Sequence, residues 1–483
     1  MAASKAINVF KWTTIANLSQ YIISFALSVV LARILTPTEY GLTATIAIFI
    51  VLSKTFIDAG LSIPVVQRND INNNDLSTVF WFNLFVSISI YVLLFFFAPF
   101  IAAFFREPIL IPITRLIGLN LVFNSAGIIQ NALLIKDLYL KKQAVLNLVG
   151  LSLSVVVAIW MALNNYGVYS IVGQILTNSI ALNLLLWTTS KWRPLYIFDK
   201  KSFLKLWSLG SKVLITNIIT NLIGSIDDFI IGKVYSINRL GLYSRAKSLV
   251  NVLNSIYVGS LNSLAFSLLS KNNEDINEFV RLHKKIFSHS FFLLIIITLL
   301  ISSNSEAIII SLYSEKWRAS VEILKVMIFM LFPIFTNAFS SQTLLALGDG
   351  SLYLKLFLVK KVFIFLVLSA VYLFDLQTFV YCFVGVNLIN CLIDFYVLST
   401  RLQIKFKFYF SDFKIIIPIT IITFGTNNLF SNLFPEKYFL IMFASLFTGS
   451  TLAVLFLELF KPSNYVSVKK IFLSQMRNIL IKS

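Results

Sequence analysis

Of the 483 residues, 58% are hydrophobic and only 13% charged, with 46 Phe and a mean hydropathy of +0.85. A soluble domain carries about a quarter charged residues, so these figures exclude a soluble enzyme, a nucleic-acid binder and a single-span receptor with a folded ectodomain. The net charge of +19 is then a question of placement along the chain.

Apolar runs fall at 12–32, 41–61, 78–104, 112–134, 144–163, 167–189, 209–232, 241–269, 287–303, 320–346, 352–374, 377–399, 414–430 and 438–459. At about 20 residues per span they predict an all-α polytopic membrane protein of about 14 helices. No signal-peptide cleavage pattern precedes the first run, which is expected to stay as a span. Connections are short, the longest outer one being the loop expected around Asn304–Ala319, so no soluble domain is inserted. With the N-terminus placed in the cytoplasm, inner segments collect about 25 of the Lys and Arg and outer segments about 7. Lys136, Lys141, Lys142, the Lys191–Lys205 segment, the Arg401–Lys414 segment and the tail carry this bias. It predicts a multi-pass membrane protein with both termini inside. The basic charge then meets anionic lipid headgroups, and nucleic acid is not needed to explain it.

A weak internal repeat accompanies the spans. A shift of 200 pairs Asn17 with Asn217 and Gly41-Leu42 with Gly241-Leu242; later the shift is 212 and pairs Gln130 with Gln342 and Asp137 with Asp349. Two six-helix lobes are expected, at 1–200 and 201–410, related by an axis along the membrane normal. Residues 411–483 add two helices and a basic cytoplasmic tail.

Eight basic residues lie inside the runs: Lys54, Arg115, Lys212, Arg245, Lys247, Lys325, Lys360 and Lys361. Each costs about 2.5–3.5 kcal/mol at the centre of a span. Snorkelling accounts for Arg115, Lys212 and Lys325, which stand near run ends. Lys54 has Asp58 four residues on, the spacing of a helical ion pair. Lys360 and Lys361 point about 100° apart, so at most one is expected to face a cavity squarely. Arg245 and Lys247 stand opposite Asp227 and Asp228 in a helical hairpin. Arg245 is expected to pair with one of those acids, which one being open, and Lys247 to meet an anionic ligand. Polar stripes run through Asn217, Asn221, Gly224 and Asp228, through Lys247, Asn251, Asn254 and Asn262, and through Asn17, Gln20, Ser24 and Ser28. Such stripes serve either as helix–helix glue or as the wall of a water-filled path; three of them favour the path. The candidate ligand-binding set is therefore Lys247, Arg245, Lys54, Lys360, Asn217, Asn221, Asn251, Asn254, Asn17 and Gln20, with Asp227, Asp228 and Asp58 as ion-pairing or coupling acids. No catalytic residue, metal or cofactor is expected: two Cys make no framework, His283 and His289 have no partner ligand, and no phosphate-binding or hydrolase motif occurs.

The stretch LARILTPTEYGLTATIAIFIVLSKTFIDAGL, followed by VQRND and LSTVFWFN, resembles the start of the bacterial polysaccharide transporters. These are the O-antigen and capsule flippases (Wzx-type) of the multidrug/oligosaccharidyl-lipid/polysaccharide (MOP) exporter superfamily. DDFIIGKVYSINRLGLYSRAKSL resembles that family's helix 7–8 hairpin. The resemblance implies two lobes around a central cationic cavity that rocks between inward- and outward-facing states. It implies an undecaprenyl-diphosphate-linked oligosaccharide as cargo, flipped from the cytoplasmic to the outer leaflet. A coupling ion (H+ or Na+), membrane lipids and the glycan polymerase and export machinery are the partners that would go with it. The pair Asp227-Asp228 departs from a plainly cationic cavity. A flippase for the peptidoglycan lipid precursor and a cation-coupled multidrug exporter of the same superfamily are the alternatives; the exporter is expected to show 12 spans and an acid-dominated lobe. A membrane glycan polymerase would need a long outer loop with basic residues.

Overall fold

The computed structural model describes residues 19–58, 60–68, 70–271 and 274–460, and every regular element among them is helical. In chain order these are α1 (Ser19–Ile34), α2 (Pro37–Asp58), α3 (Ser62–Gln67), α4 (Asn73–Phe105), α5 (Leu110–Lys136), α6 (Leu140–Leu163), α7 (Tyr169–Thr189), α8 (Lys200–Val234) and α9 (Ile237–Lys271). They continue as α10 (Ile276–Ser303), α11 (Ser305–Tyr313), α12 (Ser320–Met327), α13 (Leu331–Ala346), α14 (Gly350–Ser369), α15 (Leu376–Arg401), α16 (Ile416–Leu433) and α17 (Tyr438–Phe460). Twelve stretches among the described residues are long and apolar enough to cross a membrane, and the chain is a multi-pass membrane protein. The α12–α13 pair crosses as one span, Ser320–Ala346. The 35-residue α9 is long enough, but Arg245, Lys247, Asn251 and Asn254 keep it out of the apolar set.

Helix starts follow from side chains that satisfy free backbone N–H groups. Asn72 and Asp75 form a reciprocal capping box at α4, with bonds of 2.9 and 3.1 Å. Asp199, Asp275 and Asp375 each accept two backbone N–H groups at the starts of α8, α10 and α15. The Ser202 hydroxyl, with the backbone N–H groups of Ser202 and Lys201, holds the Asp199 carboxyl below the usual carboxylate range.

The chain divides into two compact units, residues 1–244 and 245–483. The first has an aliphatic core in which Leu42, Ile46, Ile113, Ile117 and Leu121 are buried. Its α2 and α9 cross at two glycines. A Cβ on Gly41 would lie 1.8 Å from the Ile237 carbonyl oxygen, and one on Gly241 would lie 1.8 Å from that of Pro37. Asn238 donates to Thr38 Oγ1 beside them at 3.1 Å. These positions pair at the shift of 200 read from the sequence.

The second unit has an aromatic core. Phe287 packs edge-on to Tyr409 at 4.9 Å and stacks on Phe291 at 5.1 Å, and Phe395 stacks on Tyr409 at 4.9 Å. His283 is buried among these rings, bonded to the Tyr409 hydroxyl at 3.1 Å and the Thr343 hydroxyl at 3.3 Å. The outer loop expected around Asn304–Ala319 is instead α11 and a 3-10 turn over Glu315–Trp317. The run Ala307–Ser311 is buried nearly all round α11, and Tyr313 and Trp317 are fully enclosed. The charges that suggested a loop sit at the ends, where Arg318 bonds Glu306 at 2.7 Å, the Tyr438 hydroxyl at 2.8 Å, and Glu315.

Candidate functional site

In the first unit, α2, α5 and α7 enclose a cavity of about 230 Å³ lined by Lys54, Asn124, Gly127, Asn131, Asn183 and apolar side chains. Asn124 and Asn131 are seven residues apart on α5, two turns along one face. Asn124 donates to Asn120 Oδ1 at 2.7 Å and to the Ser179 hydroxyl at 3.1 Å, which holds α5 to α7. Asn131 accepts from the Gln143 amide at 2.8 Å. Asn183 donates to the Ser179 carbonyl at 2.8 Å, while its own Oδ1 is buried with no hydrogen bond. The missing side chain of Gly127 makes room for that amide: a Cβ there would stand 2.3 Å from Asn183 Oδ1.

Lys54 is the cation of this cavity. The expected pair with Asp58 does not form. The chain turns sharply at Gly60 (φ +69) and brings Ser62 back to Asp58, which accepts both the Ser62 hydroxyl and its backbone N–H. With Asp58 so engaged, Lys54 has no ion pair among the described residues and remains exposed to the cavity. Next to it, Asn221 of α8 donates to Thr55 Oγ1 at 2.7 Å. Asn221 therefore joins α8 to α2.

A second polar cavity, of about 170 Å³, lies within the second unit between α13, α14 and α15. Both Lys360 and Lys361 line it, because long side chains overcome the 100° between their positions. Lys360 is 7% exposed and donates to Asp394 at 2.8 Å and Asn337 at 2.6 Å. Asp394 is 1% exposed, so this is a buried, hydrogen-bonded ion pair. Asn387 and Asn390 complete the wall, with Asn390 Oδ1 buried and without a hydrogen bond. Lys361 lies 5.1 Å from the Phe357 ring.

The other expected residues are distributed as follows. In the first unit Asp227 is buried and accepts from the Tyr243 hydroxyl at 2.7 Å; Asp228 follows it, Asn217 is exposed and Gln20 half-buried. In the second, Arg245 is buried with its guanidinium 4.9 Å from the Tyr313 ring and 5.7 Å from that of Trp317. Lys247 and Asn254 are half-buried and Asn251 is exposed on α9. Asn17 and the side chain of Asn262 lie outside the described residues. Arg115 lies 4.2 Å from the Phe95 ring, and Lys325 pairs with Glu322 at 3.3 Å.

The sequence profile described as "Polysaccharide biosynthesis protein" matches residues 30–322, more than half of the chain. The chain belongs to this polysaccharide biosynthesis protein family. The match takes in the whole Lys54 cavity and the α8–α9 hairpin but stops short of Lys360. Among curated relatives, the teichuronic acid biosynthesis protein TuaB of Bacillus subtilis (strain 168) is 27% identical over 441 residues, 86% of this chain and 88% of its own length. Among solved structures, the lipid II flippase MurJ in an inward closed conformation superposes with a TM-score of 0.74 at 15% identity, covering 93% of this chain and 98% of that one. An inward-facing multidrug resistance MATE transporter of the MOP superfamily gives 0.62 at 12% identity, over 80% and 94% of the two chains. This chain therefore has the fold of these two transporters, as the sequence resemblance implied.

Proposed function

We propose that the chain is a flippase that moves a lipid-linked oligosaccharide across the bacterial inner membrane, from the cytoplasmic to the outer leaflet, for surface polysaccharide assembly. Family membership and the transporter fold support the reaction class, and a polysaccharide-pathway relative spanning most of the chain supports the cargo class. The observation that carries the site is Lys54. A lysine inside a span costs about 2.5–3.5 kcal/mol, and here no carboxylate among the described residues offsets it. An incoming diphosphate supplies the missing anion through charge-assisted hydrogen bonds. The amides of Asn124, Asn131 and Asn183 then offer donors and acceptors to sugar hydroxyls at the same place. Lys247, on α9 of the second unit, is a separate candidate anion contact, and the orientation with both termini inside rests on the Lys and Arg bias. No bond is made or broken; the step is a shift between states that open to opposite sides.

The test is translocation of a fluorescent diphosphate-linked glycolipid in proteoliposomes. Wild type is expected to flip it, Lys54→Ala to lose flipping at normal protein level, and Lys54→Arg to keep part of it because the charge survives. Full flipping by Lys54→Ala would remove Lys54 from the site. Absence of flipping by wild type across several glycolipids, with a drug cation moved instead, would replace the flippase reading with the exporter.

A further inference from the structure

A polar cavity larger than those at Lys54 and Lys360 lies in the first unit where α5 ends, α6 begins and α7 ends, with Leu186 between it and the Lys54 cavity. It measures about 460 Å³. Gln130, 1% exposed, stands in its wall with neither amide atom hydrogen-bonded. The indole Nε1 of Trp192, also in the wall, is buried and likewise has no hydrogen-bond partner. Buried donors and acceptors left unsatisfied cost free energy that a bound polar group recovers. Two lysines join them. Lys142 spends one N–H on the Thr189 carbonyl at 2.7 Å, leaving the rest of its ammonium to the cavity, and Lys191 lines it from the connecting segment. Asp137 adds one carboxylate, and leucines of α5 and α7 make an apolar side to the same space.

We propose that this cavity binds the phosphate head group of a membrane lipid. The ends of three apolar spans fix its depth at the membrane–water boundary, where such head groups reside. Two ammonium groups and two neutral N–H donors meet the phosphate oxygens. Asp137 and the Gln130 carbonyl accept from hydroxyls carried on the head group, a combination that a bare inorganic anion would not use. The apolar side receives the first carbons of the chain. Two lipids present a phosphate on an apolar chain: a resident glycerophospholipid, whose head group can also carry such hydroxyls, and the polyprenyl phosphate on which glycans are built, which uses the N–H and ammonium donors alone. The second source rests on the flippase reading; the first does not.

The experiment is native mass spectrometry of the purified full chain titrated with phosphatidylglycerol, undecaprenyl phosphate or phosphate-free diacylglycerol. Saturable binding of either phospholipid is expected, weakened about 10-fold or more in the exposed double variant Lys142→Ala/Lys191→Ala. Gln130→Leu tests the amide separately, and if it fails to fold the double lysine variant carries the result. Preference for phosphatidylglycerol identifies a resident lipid, and preference for undecaprenyl phosphate a waiting place for the carrier; either supports the site. Equal binding of diacylglycerol, binding that the variants leave unchanged, or no binding of either phosphate would overturn it, whether or not the protein flips a glycolipid.

Discussion

In the first unit the lysine of the polar cavity, Lys54, is surrounded by amides and has no carboxylate against it among the described residues. In the second unit the cavity lysine Lys360 is 7% exposed and locked between Asp394 and Asn337. The two cavities hold similar inventories, one lysine in the first and two in the second with several Asn in each, yet Lys54 and Lys360 are in opposite conditions. A buried pair is costly to break and contributes little net stability, because desolvation consumes most of its attraction. An unpaired lysine in a span costs free energy that a bound anion can recover. Under the proposed reading, anion binding belongs to the first cavity, while the Lys360–Asp394 pair holds α14 to α15. Only Lys361, at the edge of the second cavity, is left to meet a ligand there.

The hardest way to break this comparison is Asp394→Ala. It should strand the Lys360 ammonium and destabilise the protein by about 3–5 kcal/mol, read as a fall in membrane abundance and in the thermal midpoint. The double variant Lys360→Met/Asp394→Leu should recover most of that stability, and failure to recover would mean the pair does more than hold the helices. Lys54→Ala is the counterpart. Its thermal midpoint should hold or rise, because an uncompensated charge leaves the span, while glycolipid flipping disappears. A large loss of stability there would show that Lys54 has a structural partner.

Gly127→Ala sharpens the picture of the first cavity. The new Cβ would collide with Asn183 Oδ1, so a cost of about 1–3 kcal/mol and reduced flipping are expected. Gly385→Ala, on α15 where a Cβ meets nothing within 4 Å, is the matched control and should be neutral or slightly stabilising. The smallest effect is at the exposed Lys205–Asp70 pair, 2.9 Å apart. The Lys205 ammonium holds the Asp70 carboxyl below its ordinary range. A depressed acid stabilises above its unfolded pKa and loses that contribution as pH falls through the folded value. The difference between wild type and Asp70→Asn in thermal scans should therefore be small and flat from about pH 5 to 7 and shrink in stronger acid, below about pH 4.

The spans were legible because a 20-residue apolar run has few other uses. The segment after Asn304 was not, since Glu306, Glu315, Lys316 and Arg318 read as a loop while the apolar Ala307–Ile310 folds inward between them. Lys54 was legible as a charge out of place, either paired with Asp58 or functional, and the pairing reading is the one the structure does not bear out. The i+4 rule pointed to Asp58, and the positive φ of Gly60 that hands Asp58 to Ser62 leaves no signal in spacing alone. Asn124, Asn131 and Asn183 were missed because they come from two helices separated by a third. The seven-residue interval between the first two was the available clue. Asp394 was missed for a similar reason: it lies 34 residues beyond Lys360. A lone acid in an apolar run is itself a demand for a cation, and read that way it would have been paired.

The crossing at Gly41 and Gly241 has a further meaning. Each glycine offers its bare Cα to the backbone oxygen opposite the other, in the manner of the self-complementary face of a two-fold dimer. What two identical subunits would have to find by collision is here carried on one polypeptide. Its closure is independent of protein concentration, unlike that of a dimer. The same symmetry removes any freedom to change one side alone: a methyl group on either residue forces the same helices apart, so two positions 200 residues distant in the gene answer to a single steric constraint.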